Sequence, residues 1–325
     1  MIRREEVCVL VPTYNEAATI DEVVAGYLEM GFDEVLVMDG DSSDGTPDIA
    51  ADAGARVEQQ TGNGKGQAVR EAVSLIDRPV VLMVDGDSTY RPDQADRMLE
   101  PIFEGRAEHV IGNRFADMQP GAMSRLNGVG NRLINRTFSF IHGRNLQDIL
   151  SGYRAFTRES FLRLSLDADG FGIETEMAVE CVKHSVRTEV VPITYESRPE
   201  GSETNLRPFR DGGNIIIRLY QMAKTNNPLF YFGSLGVVSA LAGVLLAAYV
   251  GYAWVVRGVA HDVIALAAGV ALLFGVQLVM FGVLSDLIVT SNRQQSRQLE
   301  RIADQLEETD GQPAFEVEDT SESEE

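Results

Sequence analysis

Two aspartates follow directly on a short apolar run. Residues 80–84 (Val-Val-Leu-Met-Val) are mostly β-branched, and Asp85-Gly86-Asp87 comes next. Such a run predicts a strand buried on both faces. Open α/β sheets bind ligands beyond the carboxyl ends of their strands, which is where these two carboxylates would stand. Because carboxylate oxygens suit Mg²⁺ or Mn²⁺, and such ions usually also hold substrate phosphates, Asp85 and Asp87 are candidate metal ligands.

A second aspartate-rich turn supports this interpretation. An isolated Asp-x-Asp could simply end a strand and cap the helix near Pro92. The segment 39–46 (Asp-Gly-Asp-Ser-Ser-Asp-Gly-Thr), however, also follows an apolar strand pattern, at 35–38. Carboxyl ends of parallel strands share one edge of a sheet, so the two turns are expected to meet there.

A glycine-rich turn adds a cation. Residues 62–66 (Gly-Asn-Gly-Lys-Gly) precede a predicted helix over 67–76 and carry Lys65. The turn is not a Walker loop, because Gly66 rather than Ser or Thr follows the lysine. No Gly-x-Gly-x-x-Gly follows the first predicted strand, so a dinucleotide cofactor is not indicated. Together these turns predict a site for a nucleotide diphosphate with a metal ion.

The elements that must position these turns alternate. Strand patterns at 7–11, 35–38, 80–84 and 109–112, with a weak one at 56–58, are separated by helical periodicity at 17–30, 47–53, 67–76 and 92–103. Strands alternating with helices predict an α/β fold with a mostly parallel, Rossmann-like sheet. Beyond residue 114, helices are predicted at 124–141 and 173–184, a short strand after residue 154 and a last strand at 188–195.

The helix predicted at 124–141 carries Arg125, Arg132 and Arg136, spaced seven and four apart and therefore on one face. A solvated basic face is the simpler interpretation. In so acidic a chain, three arginines on one face favour an anionic partner.

The C-terminal third contains two long apolar segments. Residues 229–256 carry no charge, and residues 263–284 are again apolar. About 20 apolar residues span a bilayer, so both predict transmembrane helices joined as a hairpin. The preceding segment, 211–228, mixes apolar and basic residues like a helix in the membrane interface. Arginine and lysine concentrate on the flanks of the hairpin rather than in its connector, which predicts that the 1–210 domain faces the cytoplasm. The acidic tail, 293–325, is predicted to be disordered.

Composition narrows the class of protein. The 325 residues include 49 acidic and 28 basic ones, for a net charge of −21. Such a surface would repel a phosphate backbone, which argues against a nucleic-acid partner. The excess of acid favours a salt-loving source, with an ordinary acidic cytosolic protein that has an acidic tail as the alternative. Two separated cysteines and four scattered histidines support neither a disulfide framework nor a zinc site.

Five segments in order resemble the polyprenyl-phosphate (dolichyl-phosphate) hexosyltransferases, which belong to the GT-A glycosyltransferases of family 2. They are 11–16 (Val-Pro-Thr-Tyr-Asn-Glu), 39–46, 64–66, 85–87 with 112–114 (Gly-Asn-Arg), and 148–154 (Asp-Ile-Leu-Ser-Gly-Tyr-Arg). The resemblance implies a GT-A catalytic domain that requires Mg²⁺ or Mn²⁺, followed by the membrane hairpin. Some haloarchaeal members load the first hexose of the surface-layer N-glycan.

The resemblance also implies residue roles. The donor would contact Pro12, Tyr14, Glu16, Asp39, Asp41, Lys65 and Gly66. Asp85, Asp87 and Arg114 would be catalytic, with the metal on Asp87 and Asp85. The acceptor phosphate would be held from among Arg114, Arg125, Arg132, Arg154 and Arg198.

Two segments depart from the family pattern. The usual Asp-Asp-Gly-Ser turn reads Asp39-Gly-Asp-Ser here, which puts the role of Asp41 in doubt. The usual Gly-x-Ser-Lys reads Gly201-Ser-Glu-Thr, without its lysine, and Arg198 or Arg207 is the candidate replacement.

The resulting hypothesis is an inverting, membrane-bound transfer of a hexose from a nucleotide sugar to dolichyl phosphate, at the start of lipid-linked glycan assembly for N-glycosylation. The resemblance favours a UDP-linked donor and glucose as the hexose. A guanine nucleotide is also compatible with the residues. A homo-oligomer is a further open possibility. Two alternatives stay open: extension of an already lipid-linked sugar, and a non-catalytic nucleotide-sugar-binding membrane protein. A processive polysaccharide synthase is disfavoured because Trp254, the one tryptophan, lies within the first apolar segment rather than in a Gln-x-x-Arg-Trp motif.

Overall fold

The chain forms two units, residues 1–223 and 224–325. The computed structural model describes residues 2–199 except 169 and 171, then 213, 215–217, 219–221, 223 and 224, and finally 227–310. The predicted Gly201–Thr204 turn and Arg207 therefore lie outside the described residues.

The first unit is built on a seven-stranded sheet. In chain order the strands are β1 (Val7–Thr13), β2 (Glu34–Asp39), β3 (Arg56–Gln59), β4 (Val80–Met83), β5 (His109–Met118), β6 (Arg154–Thr157) and β7 (Thr188–Tyr195). Their order across the sheet is β3-β2-β1-β4-β6-β5-β7. Only β6 runs antiparallel to its neighbours, so the expected mostly parallel sheet is confirmed.

Helices cover both faces of this sheet. They are α1 (Ile20–Glu29), α2 (Thr46–Asp52), α3 (Lys65–Leu75), α4 (Ala95–Phe103), α5 (Arg125–His142), α6 (Arg158–Leu162) and α7 (Ile173–Lys183). Alternation along β1 produces the two cores. Val9 packs in a cluster with residues of α1 and α4, whereas Leu10 packs in a cluster with residues of α3 and α7. Because side chains of a strand alternate between faces, a central strand buried on both sides must be apolar throughout.

Most predicted elements are confirmed within a few residues, and β5 differs most. It was expected over 109–112 but extends to Met118, with an irregularity in its pairing to β7 between Asn113 and Asp117. The sequence did not indicate the outer half of β5 because its residues are mostly polar. They are polar because this part of the strand is no longer buried on both faces.

The second unit consists of two long helices, α8 (Pro228–Arg257) and α9 (Asp262–Asp310). Residues 228–257 and 262–292 are long and apolar enough to cross a membrane. Small residues let the two helices approach closely: a Cβ added at Gly236 would lie 2.6 Å from the carbonyl oxygen of Gly275. Ser239 also donates a hydrogen bond of 2.8 Å to the carbonyl of Ala271.

The end of α9 corrects one expectation. The tail from residue 293 was predicted to be disordered, but the helix continues to Asp310. Its composition between 293 and 308 is rich in Gln, Arg, Leu and Glu, which are good helix formers, and has neither glycine nor proline. Residues 311–325 lie outside the described part. The predicted interfacial segment is helical at its described positions between 213 and 224.

Candidate active site

A cavity of about 900 Å³ opens at the carboxyl ends of the parallel strands. The loops after β1, β2, β3 and β4 and the start of α3 contribute to its lining. Further lining residues come from β5, α5, α7, the end of β7 and the segment after it, and from described residues at 213–216. Its polar lining includes Tyr14, Glu16, Gln60, Asn63, Lys65, Asp85, Asp87, Arg114, Glu174, Tyr195 and Arg198. The edge of the sheet that the sequence singled out is thus the edge with the cavity.

Lys65 is held between two carboxylates. It stands at the start of α3, and its Nζ lies 2.5 Å from Asp85 Oδ1 and 2.5 Å from Glu174 Oε1. Burial lowers the pKa of Lys65, but the two negative charges outweigh burial and raise it above its ordinary value. Burial likewise opposes ionisation of Asp85, while the charge of Lys65 holds the pKa of Asp85 below its ordinary value. Lys65 therefore stays cationic, and Asp85 stays anionic.

A glycine makes room for Asp85. A Cβ added at Gly152 would lie 2.3 Å from Asp85 Oδ2, far inside contact distance. The Ser-Gly-Tyr segment at 151–153 therefore requires glycine at its centre, because the carboxylate packs against the backbone there.

Asp87 faces a different cation. Its Oδ2 lies 2.5 Å from Arg198 Nη2, and its Oδ1 accepts a 2.6 Å hydrogen bond from the hydroxyl of Thr89. Its side chain is nearly fully buried. Burial, together with the nearby charge of Asp85, raises the pKa of Asp87. A second positive charge beside Asp87 would therefore be favourable.

The two central carboxylates fit a metal that is shared with substrate, but not one held by protein alone. Within the described part of the chain, no group of three or more His, Cys, Asp and Glu side chains could hold an ion. Asp85 and Asp87 offer oxygen ligands only, and both line the cavity. This donor set matches Mg²⁺ or Mn²⁺ bound through one or two carboxylates and the phosphates of a substrate.

Arg114 and Asp148 form a buried bidentate ion pair. Arg114 Nε and Nη2 donate to the Asp148 oxygens at 2.7 and 2.8 Å, and the backbone N–H of Arg114 donates to the same carboxylate at 3.1 Å. Asp148 is fully buried, and Arg114 is 8% exposed where it meets the cavity. The guanidinium also lies 5.4 Å from the ring centroid of Tyr195. Arg114 is thereby fixed in orientation before any ligand arrives.

The carboxylates of the first aspartate turn, 39–46, make hydrogen bonds that hold neighbouring backbone and side chains in place. The Asp39 carboxylate is buried and accepts hydrogen bonds from the Ser42 N–H (2.9 Å) and hydroxyl (2.6 Å). Asp41 is exposed, has a left-handed backbone (φ 68°) and accepts from the Gln59 amide at 3.2 Å. Neither carboxylate lines the cavity, nor does Gly66, whereas Gly40 and Gly64 do. Pro12, Tyr14 and Glu16, from the preceding loop, reach it directly.

Arg154 does not reach the cavity. It is fully buried, and its guanidinium donates to the carbonyls of Ser151, Ile149 and Glu174 at 3.0, 2.7 and 2.9 Å. The expectation that Arg154 contacts the acceptor phosphate is corrected accordingly. Its contacts tie the loop before β6 to the start of α7, which places Glu174 for its contact with Lys65.

Helix α5 presents two kinds of surface. Arg125 and Arg132 are exposed and lie outside the cavity lining, and Arg132 packs 5.7 Å from the ring centroid of Phe115. The wall that α5 gives the cavity carries no charge and is mainly apolar: Leu126, Val129, Leu133 and Ile134 line it beside Asn127 and Asn131. The cavity therefore joins a charged end to an apolar wall.

Sequence reasoning missed Glu174, Tyr195 and the pairing role of Asp148. Tyr195 is the last residue of the strand predicted at 188–195, so its place at the carboxyl edge of the sheet could have been predicted from the sequence. Glu174 looked like an ordinary acidic residue in the first turn of a helix, and only its contact with distant Lys65 distinguishes it.

Comparison with known proteins agrees with this geometry. A family profile described as "Glycosyl transferase family 2" matches residues 8–164. The chain is 61% identical over 299 residues to Glycosyltransferase AglJ of Haloferax volcanii, covering 92% of this chain and 98% of that protein. It is 36% identical to a Dolichyl-phosphate hexose transferase of the same organism, covering 65% of this chain and 91% of the relative.

A solved structure shows the same fold. Glucosyl-3-phosphoglycerate synthase from Mycobacterium tuberculosis superimposes with a TM-score of 0.55 at 22% identity, covering 68% of this chain and 79% of that one. That enzyme has been crystallised with Mn²⁺, uridine diphosphate and phosphoglyceric acid. The sheet order, the paired aspartates at its edge and these likenesses lead to one conclusion: the chain belongs to glycosyl transferase family 2 and has the GT-A fold.

Proposed function

We propose that the protein transfers a hexose, glucose in our assignment, from a UDP-sugar to dolichyl phosphate. One observation carries the proposal: a single cavity brings the Lys65, Asp85 and Asp87 cluster together with the apolar wall of α5. A charged end suits a nucleotide diphosphate, and an apolar wall suits a lipid-linked phosphate. The name of the similar Dolichyl-phosphate hexose transferase supports the acceptor class.

The donor diphosphate belongs at the charged end. Tyr14, Pro12 and Glu16 border the nucleotide in this arrangement, and Lys65, whose ammonium is partly buried and whose pKa is raised by its two carboxylate neighbours, meets the diphosphate. A divalent ion bound at Asp87 and Asp85 would supply further positive charge to the diphosphate. Preorganised charge of this kind stabilises the negative charge that grows on a leaving group.

The transfer is one displacement. An oxygen of the acceptor phosphate forms the bond to the anomeric carbon, and the bond from that carbon to the diphosphate oxygen breaks. The departing nucleoside diphosphate takes the electron pair. Because the acceptor oxygen attacks the face of the anomeric carbon opposite the diphosphate, the configuration at that carbon inverts. The acceptor phosphate is already ionised near neutral pH, so no side chain has to remove a proton from it.

Arginines surround the acceptor. Arg114 lines the cavity with its Nε and Nη2 occupied by Asp148, which leaves Nη1 to meet a phosphate. Arg198 lies at the same edge beside Asp87, whereas Arg125 and Arg132, on α5, lie outside the cavity lining. Planar guanidinium groups suit bidentate phosphate recognition.

The setting is a membrane. Helices α8 and α9 cross the bilayer in this proposal, with the catalytic unit on the cytoplasmic side because basic residues flank the hairpin. The product, a dolichyl-linked hexose, would start a lipid-linked glycan for N-glycosylation of a surface-layer protein.

The test uses membranes containing the full chain. They are incubated with dolichyl phosphate, Mg²⁺ or Mn²⁺, and labelled UDP- or GDP-hexoses. Parallel membranes carry Asp87→Ala or the control Asp93→Ala, which alters an aspartate with 54% side-chain exposure paired with Arg91. We expect label in the lipid phase for the unaltered protein and for Asp93→Ala, and none for Asp87→Ala or with chelator.

Other outcomes identify other functions. Label on a pre-glycosylated lipid but not on bare dolichyl phosphate would overturn the acceptor assignment in favour of chain extension. Donor binding without transfer to either acceptor would indicate a nucleotide-sugar-binding membrane protein.

A further inference from the structure

Gln60 is a buried glutamine in the lining of the cavity. It directly follows β3, and its backbone N–H donates to the carbonyl of Asp39 at 3.0 Å, which adds one hydrogen bond to the pairing of β3 with β2. Its side chain is 7% exposed and contributes to the cavity wall. The sheet therefore fixes the backbone from which this carboxamide projects.

The side-chain oxygen of Gln60 lacks a donor. Among the described residues, none makes a hydrogen bond to the buried Oε1. Leaving a buried acceptor unpaired is costly, and the great majority of such atoms in folded proteins have a partner. An unpaired acceptor on a residue of a ligand cavity is explained by a donor that the ligand itself brings.

The surroundings of Gln60 suit a flat ring. A Cβ added at Gly40 would lie 3.3 Å from Gln60 Nε2 and 3.5 Å from Tyr14 Cδ2. The carboxamide and the tyrosine ring thus flank one position that carries no side chain. Tyr14 is 51% exposed, so part of its ring is open to stacking, and all three residues line the cavity. An aromatic ring beside a hydrogen-bonding carboxamide is an arrangement that binds a nucleobase.

We propose that Gln60, rather than Asp39, recognises the base of the nucleotide donor, which is uracil in our assignment. The Asp39 carboxylate already accepts two hydrogen bonds from Ser42 and does not line the cavity. The N3 edge of uracil presents an N–H between two carbonyl oxygens. Gln60 Oε1 accepts from this N–H, while Nε2 donates to an adjacent carbonyl oxygen. The inference rests on the proposed function, because it names the base-reading residue of that donor site.

Nucleotide binding tests this role without requiring catalysis. Purified full-length protein in detergent is titrated calorimetrically with UDP and with 3-methyluridine diphosphate at a fixed concentration of Mg²⁺. GDP and 1-methylguanosine diphosphate are titrated in parallel, because guanine also presents a ring N–H beside a carbonyl. The variants are Gln60→Ala and the control Gln59→Ala, which alters the neighbouring glutamine, an exposed residue outside the cavity lining.

We expect the unaltered protein and Gln59→Ala to bind UDP about 10-fold more tightly than 3-methyluridine diphosphate, because methylation removes the donor and leaves Oε1 unpaired. Gln60→Ala should bind UDP about 10-fold more weakly than the unaltered protein does. It should also bind the two uridine nucleotides equally, because alanine neither accepts from N3–H nor obstructs the methyl group.

Three results would contradict the proposal. Equal binding of UDP and its methylated form by the unaltered protein would overturn it without reference to any variant. Discrimination that survives in Gln60→Ala would also overturn it, because another group would then read N3–H. Discrimination seen only between GDP and 1-methylguanosine diphosphate would overturn the assignment of uracil.

Failure here is distinguishable from failure of the proposed function. If UDP binding depends on Gln60 but dolichyl phosphate is not glycosylated, Gln60 reads the base of a donor that serves another acceptor. If the hexose is transferred from its UDP-sugar but methylation at N3 does not weaken binding, the reaction stands and Gln60 is not its base-reading residue.

Discussion

The buried pair of Arg114 and Asp148 allows a quantitative test of how the site is held. In Asp148→Asn, the amide keeps one acceptor oxygen but turns its NH₂ toward the guanidinium, so at least one of the two side-chain hydrogen bonds at 2.7 and 2.8 Å is lost. The cation stays buried without a matching charge. Removing one partner of a buried ion pair costs about 3–5 kcal/mol. The burial of both groups supports use of the full range.

This cost converts into a thermal shift. The first unit comprises 223 residues, a size at which each kcal/mol changes the unfolding midpoint by about 2–4 °C. We therefore expect the midpoint of Asp148→Asn to fall by roughly 6–20 °C. The double variant Arg114→Gln/Asp148→Asn should recover part of the loss, because it no longer buries an unpaired charge.

The assay has to follow unfolding of the first unit, which contains Arg114 and Asp148. Trp254 lies in the second unit, so its fluorescence would follow the apolar helices. Cys8 and Cys181 are buried in the first unit, and a fluorogenic maleimide reacts with them only as that unit opens. The control is Glu104→Gln, which alters an exposed pair with Arg106 and should leave the midpoint unchanged because exposed pairs are solvated.

A small shift would contradict a stabilising role for the pair of Arg114 and Asp148. If Asp148→Asn and Glu104→Gln change the midpoint equally, the Arg114 pair does not stabilise the unit. If Asp148→Asn lowers the midpoint and the double variant lowers it further by an additive amount, the two side chains are not coupled as the structure shows.

Three further predictions concern the same unit. Lys65→Met should lower kcat of transfer about 100-fold, because a preorganised cation is lost from the leaving group; an unchanged kcat would remove Lys65 from the chemistry. Gly152→Ala should abolish transfer because its Cβ would displace Asp85, whereas Gly128→Ala, whose Cβ meets nothing closer than 4.0 Å, should remain active. Burial raises the pKa of Glu108, but hydrogen bonds from two arginines outweigh this and hold it below its ordinary 4.5. Its contribution to stability is therefore complete above pH 4.5 and lost as pH falls through the lower folded-state pKa. The difference in unfolding midpoint between unaltered protein and Glu108→Gln, followed through the exposure of Cys8 and Cys181 with 4,4′-dithiodipyridine, which reacts with thiols at acid pH where a maleimide does not, should be largest above pH 4.5 and shrink below it; a difference independent of pH would contradict this.

Local sequence patterns were sufficient to predict the strands of the sheet and the two long apolar helices. The apolar runs before Pro12, Asp39 and Asp85 marked strands, and parallel strands deliver their following turns to one edge. For that reason the sequence predicted that the Lys65 and Asp87 turns would meet. The two long apolar segments could also be recognised from the sequence, because each is longer than the apolar part of a typical helix in a soluble core.

What the sequence by itself determined was therefore which turns share an edge of the sheet; tertiary structure alone decided which side chains there pair with one another. The family resemblance assigned Arg154 to the acceptor phosphate, yet in the folded chain its guanidinium is buried against backbone carbonyls. No local pattern marked Glu174 as the partner of Lys65 or Asp148 as the partner of Arg114, yet these carboxylates hold the two cations. The physical reason is range: strand and helix patterns depend on neighbours within a few residues, whereas ion pairs form between positions far apart in the chain that only the packed sheet brings within hydrogen-bond distance.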